Sequence, residues 1–460
     1  MAESSVAAGE IAARLDRLPL TWVQWRLALI TQLAWGVIIA LDGMPATIYP
    51  YVWGPAHAFG PAQFSLLLSF QFGIGILAGE YIMGYLGDRL GRRTAMILSA
   101  VAVSLLIWPT ALTDNFGLLL LFFALGSLGM GGVLASNVVY MTEIAPPEIR
   151  GRLNQGAQTL AVLGAVVLRN VPAIFLLPQD YRIYIYLEAA FPLVILLPFL
   201  IWGLPESPRW LEARGRRAEA AAIMEQLERQ VARYAGELPP PDLSRHRVET
   251  AEHVPVREIF SGVYLRRTIV LMISWILGYA GIVYGQGGFA PLFLAAHHFT
   301  AGMTFSTLLW TGIVGGMGAL FVGSLTGERF ERRGLILTGG VLGLLTALVF
   351  YVWTTPVGLI VGALLGNAAL NFWLFNMYSY TAAAYPTRLR SVGTGWTDGL
   401  GHIGSVFGPI VAGSLFAATA RSGFVGWLAW FSVPGGIIPG LLVYFLGFNQ
   451  KKAVLEQISA

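Results

Sequence analysis

The chain has 460 residues, 56% of them hydrophobic and only 12% charged, which excludes a soluble domain, where roughly a quarter of residues carry charge. It has no cysteine, so disulfides and thiolate metal sites are excluded as well. The formal net charge of +4 invites a nucleic-acid partner, but the placement of the basic residues reads as membrane topology instead.

Residues 1–25 form a polar N-terminal segment without the basic start and apolar core of a cleaved signal peptide. Apolar runs of about 20 residues, enough to cross a bilayer as helices, then recur. Six lie near 26–50, 62–86, 94–113, 116–142, 153–177 and 182–204, within a first unit over 26–204. A polar segment at 205–266 follows, with Ser207 as N-cap, Pro208 at the first helical position, an Arg/Glu-rich helix to about Tyr234 and a proline-rich linker. Six more runs, near 267–294, 303–326, 335–354, 356–384, 391–418 and 425–447, make a second unit over 267–447, and 448–460 is a tail. The expected fold is an all-α membrane protein of twelve transmembrane helices in two six-helix halves. Every Lys and Arg except Arg169, Arg182 and Arg421 falls at the termini, in one set of alternate loops or at the span ends beside them. That side is expected to be cytoplasmic, with both termini on it.

Two loops repeat at one offset. "GDRLGRR" (87–93) returns as "GERFERR" (327–333), and "PPEIR" (146–150) returns as "PTRLR" (386–390), each 240 residues later. A duplicated six-helix unit explains both matches, and duplicated halves around a central pathway are a transporter architecture.

The first of these loops, extended to "GYLGDRLGRR" (84–93), together with "PESPRWL" (205–211), "RGRLNQGAQ" (150–158) and "SGVYLRRT" (261–268), resembles the major facilitator superfamily. Within it, the chain is similar to the sugar porter and the organic-ion and aromatic-acid transporter group. The resemblance implies alternating-access transport, with no enzyme activity and no cofactor, by a monomer of the inner membrane. It also implies that Asp88, Arg89 and Arg92 act at a gate, with Glu328, Arg329 and Arg332 as their second-half counterparts. Glu143, Arg150, Glu206, Arg209 and Arg390 lie at the same membrane face and are expected to be gate partners. "YAGIVYGQGGF" in span 7 departs from the glutamine-rich hexose pattern, which turns the expectation from sugars toward organic ions.

A charge in mid-membrane costs at least about 2.5–3.5 kcal/mol, so each needs a partner or a function. Arg169 and Asp42 each lie about 16 residues into their spans, roughly 24 Å deep. Arg169 either pairs structurally with Glu188 or binds an anion. Glu80, near the inner end of span 2, is expected to join the loop network. In "TDGLGH" (397–402), Asp398 and His402 are one helical turn apart on one face, and His402 can be neutral or cationic at physiological pH. Asp398, His402 and Asp42 are the expected proton-coupling groups, and Arg169, His402 and Asp42 the expected ligand groups. Asn371 joins them from a helix that lines the pathway in the resembled family, and Tyr279, Tyr284, Trp373, Tyr378 and Trp396 are candidate walls for a planar ligand. No nucleotide-binding or metal-ligand spacing occurs. The expected activity is proton-coupled transport of a small organic anion, with an organic cation, a zwitterion, a sugar or a non-transporting receptor as alternatives.

Overall fold

A computed structural model describes residues 10–243, 256–318, 321–322, 330–385, 387–418 and 427–448. Among them, all regular structure is helical. Among the described residues, nine helices are long and apolar enough to cross a membrane. In chain order they are Trp22–Asp42, Pro61–Leu90, Arg92–Leu112, Phe116–Ile144, Gly156–Leu176, Tyr181–Gly203, Gly262–Ala296, Arg332–Val352 and Pro356–Ala383. They correspond to expected spans 1 to 7, 9 and 10. The other three expected spans are helical in shorter pieces. Span 8 runs Ala301–Thr311 and Gly312–Gly316, span 11 runs Thr387–Gly401 and Ile403–Ala418, and span 12 runs Trp427–Ile437 and Ile438–Leu446.

Span 1 lies along span 5, span 4 along spans 2 and 3, and span 9 along spans 10 and 12. The two halves meet where span 2 runs beside span 11 and span 5 beside span 8. Small residues allow the close approaches. A Cβ on Gly79 would lie 2.1 Å from the Leu128 carbonyl oxygen, bringing spans 2 and 4 together, and one on Gly404 would lie 1.9 Å from the Ile276 oxygen, doing so for spans 11 and 7.

Three irregularities position the site. Span 1 breaks at Gly43 and resumes as Met44–Ile48, with Pro45 supplying the early helical proline. Span 7 widens into a π-helical turn at Tyr279–Val283. Span 11 breaks at His402, whose carbonyl accepts from the Ser405 hydroxyl at 2.6 Å.

On the face that carries the basic loops, Ser207 accepts from the Trp210 amide and caps Pro208–Ala213. The Arg/Glu-rich helix follows as a separate piece, Arg217–Ala235, ending at Gly236 with φ +76°. A short N-terminal helix, Glu10–Asp16, docks on it. Arg14 makes two bonds to Glu228 at 3.0 and 2.7 Å, Arg17 adds a third at 2.6 Å, and Arg209 reaches Asp16 at 2.6 Å. Burial raises the Glu228 pKa, but the bonds from Arg14 and Arg17 outweigh it and hold the carboxyl below its usual range.

Candidate functional site

The loop motif at 87–93 builds a network within the first half. Arg92 donates to Asp88 at 2.5 Å and to Glu143 at 3.0 and 3.1 Å. Glu206 accepts from the amides of Arg92, Arg93 and Ser207 at 2.8, 3.1 and 2.9 Å, so a carboxylate sits on the N-terminus of span 3. Gly91 makes this possible. Its φ is +108°, and a Cβ there would lie 2.2 Å from a Glu206 oxygen. Position 331, its counterpart 240 residues on, is Glu331, which has ordinary φ −72° and pairs with Arg333 at 2.5 Å. The first copy of the motif therefore receives a carboxylate on its helix N-terminus from the segment just after span 6, whereas in the second copy the carboxylate at the matching position pairs with Arg333 and makes no cap bond. Arg89 lies over the Tyr85 ring at 4.4 Å, and Arg332 begins span 9. Glu328 and Arg329 lie outside the described residues, as do the side chains of Arg150 and Arg390. The bonds described for Asp88, Arg92, Glu143 and Glu206 do not reach the second half, so in this conformation the network ties the first half to the start of the polar segment that follows it.

A second polar cluster lies at mid-membrane, where spans 2, 7, 10 and 11 converge. Asp398 accepts from the Tyr279 hydroxyl at 2.6 Å, which in turn lies 3.0 Å from the Tyr378 hydroxyl. The Tyr279 ring lies against the His402 ring, with centroids 4.3 Å apart. His402 Nε2 is 3.4 Å from the Tyr284 hydroxyl, and Phe72 of the other half stacks on Tyr284 at 4.6 Å. Asp398 and His402 thus communicate through Tyr279, which bonds one and stacks on the other. Glu80 stands 3.8 Å from His402 Nδ1. The structure therefore removes Glu80 from the loop network, where its position near the end of span 2 had suggested it, and sets it across the interface. Tyr284 is also within Coulombic reach of Asp42, Glu80 and Asp398.

The third group surrounds Arg169. A Cβ on Gly43 would lie 2.1 Å from an Arg169 nitrogen, so the guanidinium rests on the break in span 1. Its charge acts on both Asp42 and Glu188, yet neither carboxylate comes within the 4.0 Å of an ion pair. Asp42 Oδ1 and both Glu188 oxygens are buried without a hydrogen-bond partner among the described residues. The Tyr184 hydroxyl faces Glu188 and Thr47 without reaching hydrogen-bond geometry.

Other expected ligand residues fall elsewhere. Trp373 is fully buried between Gly278 and Gly339, packing spans 7, 9 and 10 together. Trp396 sits edge-on to Phe260 near the basic face. Asn371 donates to the Asn367 carbonyl at 2.8 Å, and a Cβ on Gly316 would lie 3.2 Å from its nitrogen, which places it at span 8. Sequence reasoning missed Phe72, took Tyr279 and Tyr378 as candidate walls and not as a hydrogen-bonded bridge, and set Glu80 in the loop network instead of beside His402. The depth of Glu80 was the available signal: ten residues before Leu90 corresponds to about 15 Å, close to the depth of His402.

Comparison with known proteins decides the family. The model described as "Sugar (and other) transporter" matches residues 36–460. The chain belongs to the sugar (and other) transporter family. It is a membrane-spanning transporter of the major facilitator superfamily that carries small organic solutes, and not an enzyme. It is 28% identical to the niacin transporter NiaP of Acinetobacter baylyi, over 98% of this chain and 99% of that one. It is also 28% identical, over 96% of both chains, to YyaJ of Bacillus subtilis, described as a candidate metabolite transport protein. The xylose transporter XylE of E. coli, in a partially occluded inward-open structure, shares the fold with a TM-score of 0.70 at 17% identity, covering 94% of this chain and 99% of that one.

Proposed function

We propose that this transporter moves a small planar aromatic carboxylate together with a proton by alternating access, across the inner membrane, with the basic face cytoplasmic. The observation that carries this reading is the aromatic pair where the two halves meet, which offers a slot for a planar ring once the halves part. Phe72 from the first half and Tyr284 from the second stack at 4.6 Å beside an imidazole that can become cationic. Aromatic faces suit a planar ring, and an imidazolium with tyrosine hydroxyls suits its carboxylate. The relative named for niacin, a pyridine carboxylate, supports the same class. In this reading Arg169 draws the anion into the pathway, Asp42 and Asp398 exchange protons with His402, and the halves are 26–204 and 267–447. An anion moving with a proton crosses without net charge, which avoids the cost of a bare charge in the membrane.

A second reading, an organic cation, has its own supporting observation: Asp42 and Asp398 both act on the Tyr284 hydroxyl amid tyrosine rings, and ring faces attract cations. Uptake of labelled nicotinate, choline and xylose into proteoliposomes distinguishes the readings. Nicotinate uptake stimulated by an acid exterior supports the first. Choline uptake alone, or xylose uptake alone, sinks it.

A further inference from the structure

We propose that Glu80 is the proton port of this transporter, the group through which a proton held on His402 leaves to the basic face when the opposite face is closed. The proposal rests on the aromatic-carboxylate reading only for the identity of the co-transported solute. Four observations carry it. Glu80 lies 3.8 Å from His402 Nδ1, and the two residues come from different halves. His402 Nδ1 is buried with no hydrogen-bond partner among the described residues, so the nitrogen facing Glu80 has unused capacity. The His402 side chain is 3% exposed and that of Glu80 17%, so Glu80 is the more accessible member. On the far side of His402, the Ser405 hydroxyl donates to the Phe72 carbonyl at 3.2 Å, and a Cβ on Gly73 would lie 2.4 Å from a Val406 side-chain carbon. Those contacts press spans 2 and 11 together beyond the imidazole, leaving Glu80 at the edge nearer the basic face.

The other titratable groups facing the pair are few. Span 11 contributes Asp398, span 7 contributes Tyr279 and Tyr284, span 10 contributes Tyr378, and Tyr81 follows Glu80 on span 2. Span 1 adds Asp42, which acts on Tyr284. Span 4, whose Gly131 packs against the Glu80 backbone, brings no charge to this level. Glu80 addresses Nδ1 while Tyr284 addresses Nε2, so the port and the aromatic slot use opposite nitrogens of one ring. The step is a simple transfer. While the opposite face is open, the imidazole takes a proton from that side and the imidazolium attracts the solute's carboxylate. When that face has closed and the solute leaves to the basic face, Nδ1 gives the proton to the Glu80 carboxylate, which restores a neutral imidazole and leaves a neutral carboxyl that releases the proton to the basic-side bath. A shift of about 1 Å brings 3.8 Å to hydrogen-bond distance.

The test uses the full-length protein in proteoliposomes with labelled nicotinate, comparing wild type, Glu80→Gln and Glu80→Asp. Two activities are read: accumulation driven by an acid exterior, and counterflow exchange without a gradient. Glu80→Gln is expected to keep counterflow within about twofold while losing accumulation by about tenfold or more, with its pH dependence flattened. Glu80→Asp should restore part of the accumulation. Wild-type accumulation and pH profile in Glu80→Gln overturn the proposal, as does an equal loss of both activities. A second measurement needs no solute. In nitrogen-15 histidine spectra, with the His402 signal identified by His402→Gln, the titration midpoint should move by about one pH unit or more in Glu80→Gln. An unmoved midpoint overturns the port. If nicotinate is not carried but the midpoint moves, the solute reading fails and the port stands. Should Glu80→Gln fail to fold, Glu80→Asp carries both readings with smaller displacements, and unchanged values there overturn the proposal equally.

Discussion

Tyr279 makes the two titratable groups of span 11 one system. Its hydroxyl bonds Asp398 at 2.6 Å while its ring lies 4.3 Å from His402, so it fixes the carboxylate and covers the imidazole together. Tyr279→Phe keeps the ring and removes only the hydroxyl. The freed Asp398 loses a donor that favours its ionised form, and the pH profile of uptake should be displaced while the protein stays folded. An unchanged profile in reconstituted Tyr279→Phe would make this tyrosine a packing residue. Gly91 supplies a structural counterpart. A side chain there meets both the φ of +108° and the Glu206 carboxylate, so Gly91→Ala should destabilise by about 1–3 kcal/mol, seen as a lower Tm in detergent. The counterpart Glu331→Ala has neither constraint and should cost less. These two glycine-or-glutamate positions were legible as a repeat, but not as a difference. The motif shows equal spacing, and only the fold shows that Glu206 arrives at one copy and not the other.

Several spans widen into π-helical turns, and three irregularities coincide with the titratable groups. Span 1 breaks beside Arg169, span 7 widens at Tyr279 and span 11 breaks at His402, and each irregularity frees backbone groups near a pathway. The spans themselves were readable from hydropathy and the loops from basic residues, because a bilayer leaves a chain few choices. Side-chain direction was less readable. Tryptophans are buried in the core at Trp53 and Trp275 and exposed at Trp202 and Trp310, so Trp373 and Trp396 carried no mark in the sequence separating packing from a ligand wall, while Phe72 looked like any apolar residue of span 2. Outside the membrane, the N-terminal helix Glu10–Asp16 is held through Glu228 by Arg14 and Arg17. The depressed folded-state pKa of Glu228 means that this contribution is present above the unfolded value of about 4.3 and is lost as the pH falls through the lower folded value. Acidification through that window should therefore release the helix, read as protease cleavage near residues 17–21. At neutral pH, Glu228→Gln should lower Tm by about 2–4 °C and remove most of this acid sensitivity. Identical acid profiles for wild type and Glu228→Gln would place the docking energy elsewhere.

At the scale of the whole molecule, the contacts between halves lie toward the face opposite the basic loops. The Tyr51 hydroxyl accompanies Thr304 and donates to the Phe299 carbonyl at 2.9 Å, Phe64 meets Phe289 with centroids 5.2 Å apart, and Phe72 meets Tyr284 deeper in. Span 2 descends past span 11 in an antiparallel ladder, from Ser65 beside Gly413, through Gly73 beside Val406, to Glu80 beside His402. In alternating access this ladder must open at its Ser65 end, because a solute in the aromatic slot can reach the opposite face only between the halves. The chain contains no cysteine, so a pair introduced there would be the sole thiols. A Cβ at position 413 would lie 3.1 Å from the Ser65 Cβ, slightly inside the 3.5–4.5 Å of ordinary disulfides and reachable by a small backbone shift. Ser65→Cys with Gly413→Cys should therefore cross-link on oxidation, hold this face closed and abolish net uptake. Reduction should restore uptake to the level of the reduced double variant, and each single variant should be insensitive to oxidant. The cross-link closes only the opposite face, so solute added on the basic side should still bind. Retained nicotinate binding with lost uptake, both measured on the oxidised protein, would assign the ladder to the moving interface. Uptake that survives complete cross-linking would show that the halves do not part along spans 2 and 11.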